Sequence, residues 1–250
     1  LFEAGAVFLP EPGVQYGTDE VPPAAQRPSP ETLAVLAAAI PPQPRHAAVL
    51  LLGALIPKQP GQPAVATGIA DALDAVRTIA AAVGVKIDVV QGQRPALHPG
   101  RTGILSIAGE VVGYVGELLP AIAEAADLPS VVAVAELDLD RAIALSGGAV
   151  TAATLSTFTP ATQDVSRMVP LDVAAAAVRQ ALLDGAGALL EAARLVDDYR
   201  GEGMPEGSKS LSFALRFRAP DRTLTSAEAS EAKLAGVAVA AERFGARIRD

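Results

Sequence analysis

The sequence predicts a two-domain α+β protein, and three observations support that fold class. Some segments place apolar residues at every second position, as strands do, and others repeat them at helical spacing. Strands and helices alternate irregularly in residues 1–145, with one clear hairpin, which favours a mainly antiparallel sheet. Residues 158–250 follow the order β-α-β-β-α-β of a ferredoxin-like domain. Residues 146–157, rich in Ser, Thr and Gly, are predicted to be the linker.

The elements of the first domain follow from its apolar segments and its stop signals. The helix at 69–83 carries a continuous apolar face and ends before Gly84, which can adopt the positive φ of a helix stop. Ala108-Gly109-Glu110 suits a hairpin turn. The acidic run 136–140 is interpreted as a cap for the next helix rather than a magnesium site. The other predicted elements are strand 1–9, helix 30–40, buried strand 47–55, strand 85–90, helix 120–126 and strand 131–137.

The second domain carries clearer signals for its helix boundaries. Asp172 is predicted to cap a helix at 173–183. Thr225 and Glu228 have the spacing of a capping box, which starts a helix that runs to about Phe244. The predicted strands are 163–169, 189–199, 209–218 and 246–249.

Composition excludes several classes of protein. Half of the 250 residues are hydrophobic, which is enough for substantial cores. The absence of cysteine excludes disulfides, thiolate metal sites and a Cys nucleophile, and is typical of a cytoplasmic protein. The longest markedly apolar run, residues 47–57, is too short to span a bilayer, so no membrane contact is expected. The net charge of −8 argues against a surface that binds nucleic acid everywhere.

The strand at 209–218 carries the main candidate site. Its alternation predicts that Leu211, Phe213, Leu215 and Phe217 pack under the helices. The other face would present Arg216 and Arg218, joined from the last strand by Arg247 and Arg249, which flank an inward Ile248. Such a face can hold RNA, with guanidinium groups on phosphates or stacked on unpaired bases. The alternative is an ordinary solvated sheet face.

Five further residues are candidate contacts or structural anchors. Arg222 either contacts RNA or braces its turn by pairing with Asp221 or a carbonyl, while Arg200 and Lys209 flank a glycine-rich loop that reaches RNA or is merely charged. His98 has no partner at catalytic or metal-binding spacing, so we interpret it as structural, and beside it Arg101 as a hydrogen-bonding anchor. No catalytic or metal-ligating residue is predicted.

Three stretches resemble one family. "YRGEGMPEGSKSLSFALRFRAPDRTLTSAE" is similar to the ferredoxin-fold anticodon-binding domain of the bacterial phenylalanine–tRNA ligase beta-subunit family. "LHPGRTGILSIAGEVVGYVGELLP" and the opening "LFEAGAVF" resemble the class II synthetase-like module that precedes it. Leu119, Arg167 and Val196 depart from the family pattern, and Arg167 is expected to share the helix-facing side with Val165 and Val169.

The resemblance implies a role within a larger enzyme. The family forms a cytoplasmic heterotetramer of two alpha and two beta chains that joins phenylalanine to its tRNA with ATP and magnesium. Chemistry takes place on the alpha chain, so this chain is expected to be catalytically inert, to bind no cofactor itself, and to bind the anticodon region of phenylalanine tRNA. Two alternatives stay open: a protein–protein scaffold without RNA contact, and a small-molecule-binding regulatory domain of ferredoxin-like fold.

Overall fold

The structure, a computed structural model of the chain, describes residues 1–148 and 156–248. The chain divides into two compact units, Leu1–Thr151 and Ala152–Asp250. Most of the predicted linker, 146–157, lies outside the described residues. Of the helices in the described ranges, none is long and apolar enough to cross a membrane.

The first unit is built on a six-stranded antiparallel sheet with strand order β1-β2-β8-β7-β6-β5. The helix α2 packs on one face, where its buried Ala72 and Val76 belong to the same core cluster as apolar residues of the central strands. The elements of this unit are β1 Phe2–Ala6, α1 Pro30–Ala38, β2 Arg45–Leu52, β3 Ala54–Ile56, β4 Val65–Ala66, α2 Ile69–Ala82, β5 Asp88–Gln91, β6 Leu97–Ile107, β7 Glu110–Leu118, α3 Pro120–Ala125, β8 Val132–Asp138 and α4 Leu139–Ala144.

Most boundaries predicted in the first unit agree with the structure to within a few residues. The hairpin turns at Ala108 and Gly109, which both have positive φ, and Asp138 caps α4 by accepting from the backbone N–H of Arg141 at 2.8 Å. The fully buried strand at 47–55 is wrong, because β2 ends at Leu52 and Gly53 has positive φ. Burial along β2 alternates, since one face of the sheet lacks a helix layer.

The second unit is a three-stranded antiparallel sheet of order β10-β11-β9 with two helices on one side. Its core joins the inward face of β11 to buried residues of both helices. Leu211, Phe213, Leu215 and Phe217 are all buried, as the alternation predicted. The elements are β9 Ala161–Pro170, α5 Ala175–Ala186, a 3-10 turn Gly187–Leu189, β10 Leu190–Tyr199, β11 Ser208–Phe217 and α6 Ser226–Phe244.

Of the two helix caps predicted in the second unit, one is confirmed and one is wrong. The Thr225 hydroxyl accepts from the backbone N–H of Glu228, and the Glu228 carboxylate accepts from the backbone N–H of Thr225 at 2.9 Å, so the capping box is confirmed. The predicted Asp172 cap is wrong. Helix α5 begins after Ala174 and has no side-chain cap, because the chain turns through residues 171–173 before the helix starts.

The predicted last strand is reduced to a single bridge in the described residues. Met168 and Arg247 exchange backbone hydrogen bonds of 2.8 and 3.0 Å, which places this segment beside β9. Ile248 is 66% exposed, so its predicted inward packing is wrong. Ala246 is buried in the core, whereas Ile248 lies beyond the cover of the helices. Arg249 lies outside the described residues.

Candidate nucleic-acid interface

The side of the second unit's sheet that faces away from α5 and α6 is the candidate site, and we call it the open face. Strand register defines its members, because residues paired directly across antiparallel strands point to the same side. They are Thr162, Asp164, Ser166 and Met168 of β9, Ala192, Arg194, Asp197 and Tyr199 of β10, and Ser210, Ser212, Ala214 and Arg216 of β11.

The charges on the open face are mixed. Arg216 is exposed on it, as predicted from the alternation along β11. Arg194 lies on the neighbouring strand, and Arg247 joins from the bridged segment because it pairs with Met168. Asp164 and Asp197 place negative charge on the same surface. The open face therefore has isolated cationic positions rather than a strongly basic patch. Hydroxyl groups lie between these positions, and the Oγ atoms of Ser166 and Ser212 are 2.7 Å apart.

Glu191 connects two of the predicted RNA contacts. One of its carboxylate oxygens, Oε2, lies 2.6 Å from Nε of Arg216 and 3.3 Å from Nε of Arg218. Arg218 also donates from a terminal nitrogen to the backbone carbonyl of Ser156 at 2.9 Å, and its side chain is only 14% exposed. Arg218 is thus held at the end of β11, whereas the Arg216 side chain is 49% exposed.

The remaining candidates of this unit are held by acidic partners. Arg222 pairs with Glu228 at 2.8 Å, so it braces the helix start through a different carboxylate than the Asp221 considered from sequence. Arg200 binds both carboxylate oxygens of Asp198, at 2.8 and 2.9 Å, and this hydrogen bonding lowers the pKa of Asp198 despite partial burial.

Lys209 lies in β11, in agreement with the strand predicted at 209–218, but its side chain does not reach out towards the loop that it flanks. It points to the helix side and is 5% exposed, with Nζ 3.7 Å from the Asp198 carboxylate. A long side chain at the end of an inward-facing row packs its methylene stem on the core and keeps its charge near a carboxylate. We therefore leave Lys209 out of the candidate surface.

The two candidate anchors of the first unit contact their neighbours inside the sheet. Arg101 donates to the nearly buried carboxylate of Glu117 at 2.5 Å, and Glu117 also accepts from the backbone N–H of Ile69 at the start of α2. Nδ1 of His98 accepts from the backbone N–H of Gly100 at 3.1 Å. Arg101 thus joins β6 to Glu117 of β7, whereas the hydrogen bond of His98 stays within β6.

A polar cluster on the opposite face of that sheet was not identified from sequence. Glu136 accepts from the Tyr114 hydroxyl at 2.6 Å and lies 2.6 Å from His46 Nδ1, while the Arg94 guanidinium stacks 3.9 Å from the Tyr114 ring centre. Burial alone would raise the pKa of Glu136, but the hydrogen bonds from Tyr114 and His46 outweigh burial and lower the pKa. Burial and the Glu136 carboxylate together raise the pKa of Tyr114 to about 12.

Comparison with known families agrees with this architecture. Residues 1–139 match the family described as phenylalanyl tRNA synthetase beta chain CLM domain, and residues 156–249 match the ferredoxin-fold anticodon binding domain. The fold of each unit and these two matches define the chain as part of an aminoacyl-tRNA synthetase that carries an anticodon-binding domain. The chain belongs to the phenylalanyl-tRNA synthetase beta-chain family.

Similar proteins come from several bacteria. The phenylalanine–tRNA ligase beta subunit of Leifsonia xyli subsp. xyli is 58% identical over 254 residues, which cover 100% of this chain. The beta subunits of Streptomyces avermitilis and Thermobifida fusca are 46% and 43% identical, also over 100% of this chain. The chain spans 30% of the length of each of these three relatives.

Proposed function

We propose that the second unit binds the anticodon stem-loop of phenylalanine tRNA through its open face. The observation that carries the proposal is the position of Arg216, half exposed on a sheet face whose opposite side is covered by both helices. The same face carries hydroxyl groups, Arg194 on the neighbouring strand and Arg247 at the other end of β9, which are donors of the kind that contact RNA phosphates and unpaired bases. The family match to an anticodon-binding domain supports the same conclusion.

The first unit has a different role in this proposal. It supports the alpha subunit in an alpha2 beta2 ligase. The transfer of phenylalanine with ATP and magnesium takes place on the alpha chain. This chain therefore contributes no catalytic residue and binds neither ATP nor magnesium. The names of the relatives, which are beta subunits of phenylalanine–tRNA ligases, support this assignment. The enzyme would act in the cytoplasm, where charged tRNA is used.

The test compares two arginines that differ in position and little else. Arg216 and Arg243 are 49% and 47% exposed, and each pairs with one carboxylate, Glu191 and Asp184 respectively. Arg243 lies on α6, in the helix layer rather than on the open face. Arg216→Ala is expected to weaken binding of phenylalanine tRNA several-fold and to lower the salt slope by about 0.7 to 0.9 for one lost phosphate contact.

Arg243→Ala is the matched control and is expected to leave both quantities unchanged. Fluorescence anisotropy of labelled tRNA at about 50 and 200 mM salt measures them. Equal affinities for wild type and Arg216→Ala would contradict RNA contact by the open face. In that case the scaffold function is favoured, and the same variants would be compared for binding to the alpha subunit.

A further inference from the structure

Glu191 occupies an irregular position at the start of β10. Leu190 pairs with Phe217 and Ala192 pairs with Arg216, so Glu191 is an extra residue between two consecutive pairs, a β-bulge. Bulges redirect side chains, and here the Glu191 carboxylate lies beside both Arg216 and Arg218 on the adjacent strand. Two guanidinium groups thus share a single carboxylate oxygen.

The two arginines are held unequally by this arrangement. Arg218 is fixed by Glu191 and by the Ser156 carbonyl, and it is mostly buried. Arg216 lies with Nε 2.6 Å from Glu191 and makes no other ion pair among the described residues. Its side chain is 49% exposed, so about half of it is accessible on the open face, next to a carboxylate that is itself 41% exposed.

The cluster formed by Arg216, Arg218 and Glu191 carries a net charge of only +1, because one carboxylate offsets one of the two guanidinium groups. Since Glu191 lies beside Arg216, any phosphate that approaches Arg216 also meets the Glu191 carboxylate. A flexible RNA strand that offers only phosphates loses much of the attraction, because its binding is almost entirely electrostatic. A folded RNA that also places bases and sugars on the hydroxyl-rich face loses proportionally less.

We propose that Glu191 is a specificity-determining residue of the open face: by pairing with Arg216 and Arg218 it suppresses binding of unstructured polyanions and leaves the surface selective for a folded RNA. The inference rests on the proposed RNA-binding function. A specificity role for Glu191 differs from a purely structural role, because only the specificity role requires that removal of the negative charge increases RNA binding.

The test uses Glu191→Gln, which keeps the shape and a hydrogen-bond acceptor but removes the charge. Binding of this variant to a single-stranded oligouridylate is expected to strengthen about three- to tenfold, with a salt slope steeper by about 0.7, the value for one further phosphate contact on a single strand. Binding to phenylalanine tRNA is expected to strengthen less. The ratio of the two affinities, which measures selectivity, therefore falls.

Glu242→Gln is the matched control for the change in net charge. Glu242 is exposed on α6, in the helix layer rather than on the open face, and has no ion pair in the part of the chain that the structure describes. This variant makes the same Glu-to-Gln change without releasing an arginine of the open face, so we expect little change in the affinity ratio. Circular dichroism and the melting temperature verify that both variants are folded.

The outcomes separate this inference from the function on which it rests. If Arg216→Ala weakens tRNA binding but Glu191→Gln behaves like Glu242→Gln, the role of Glu191 is wrong and the RNA-binding function stands. Weaker binding of both RNAs by Glu191→Gln would also overturn the inference, because Glu191 would then be positioning the arginines for RNA. If Arg216→Ala changes neither affinity, the RNA contact itself is wrong and this inference falls with it.

Discussion

Gly185 of α5 and Gly236 of α6 face each other where the two helices of the second unit cross. A Cβ atom on Gly185 would lie 2.8 Å from the Gly236 Cα and 2.6 Å from the Ala235 carbonyl oxygen. A Cβ on Gly236 would lie 2.6 Å from the Leu182 carbonyl oxygen. The neighbouring atoms are backbone, so no side-chain rotation relieves either contact, and the pair of glycines sets how closely the helix layer packs.

Gly236→Ala should therefore destabilise the second unit. Alanine is favoured over glycine inside a helix by about 1 kcal/mol, but the added methyl group forces the helices apart, and such overpacking costs about 1–3 kcal/mol or more. We expect a net loss, with faster hydrogen exchange of α5 and α6 amides measured by mass spectrometry. Ala238→Gly, at an exposed position of α6, measures the propensity effect alone. Slower exchange in Gly236→Ala would contradict the close contact.

The helix contact illustrates what the sequence could and could not predict. Periodicity identified both helices and the inward face of β11, because buried apolar side chains repeat at the period of their element. It gave no sign that Gly185 mediates a crossing, and the predicted helix ends at residue 183, whereas α5 continues through Gly185 to Ala186. A glycine chosen for close approach and one chosen for positive φ look identical in a sequence.

Two bulges explain why the open face was predicted from β11 and not from β10. Register shifts occur between Leu190 and Ala192 and again between Leu195 and Asp197, so the alternation of β10 changes phase twice. Counting every second residue across either shift assigns the next side chains to the wrong face. Counting from the inward Leu190 therefore puts Arg194 on the helix side, whereas it lies on the open face; Arg216, on the regular strand β11, lies on the face that its alternation predicts.

Arg167 lies among apolar neighbours on the helix-facing side of β9, as its position between Val165 and Val169 predicted. Val165, Val169 and the directly paired Leu211 are all buried. Partial burial lowers the pKa of Arg167, and within the described ranges it has no carboxylate partner, only a 2.8 Å hydrogen bond to the Ser166 carbonyl. A partly desolvated guanidinium without an opposite charge costs stability.

Replacing this side chain is expected to stabilise the protein. Arg167→Leu removes the desolvated charge and adds apolar contact, and we expect the free energy of unfolding of the second unit to rise by about 1 kcal/mol. Chemical denaturation, with hydrogen exchange of β9 as a local probe, measures the gain. Arg194→Leu, on the exposed side of the same sheet, provides the control, because no core receives its leucine. A loss of stability in Arg167→Leu would show that the charge is compensated.

The hydrogen bond from Tyr114 to Glu136 makes the stability of the first unit sensitive to alkaline pH. The pKa of Tyr114 is raised to about 12 by burial and by the Glu136 carboxylate, whereas an unfolded chain ionises tyrosine near pH 10. Above about pH 10 the unfolded state therefore loses this proton while the native state keeps it. The contribution of this hydroxyl is complete below about pH 10 and is lost progressively as the pH rises towards the folded-state value.

Tyr114→Phe removes that titration together with the hydrogen bond. The difference in unfolding free energy between wild type and Tyr114→Phe should be constant up to about pH 9 and should shrink between about pH 10 and 12, followed by urea denaturation at each pH. Glu136→Gln keeps a hydrogen-bond acceptor but removes the charge, which lowers the folded-state pKa of Tyr114 while the effect of burial persists. The decline in the remaining Tyr114 contribution should therefore still begin near pH 10, but it should be smaller and end at a lower pH. A difference that stays constant through this range would mean that the hydroxyl ionises equally in the folded and unfolded chains, and the Tyr114–Glu136 bond would then contribute nothing specific to the folded sheet.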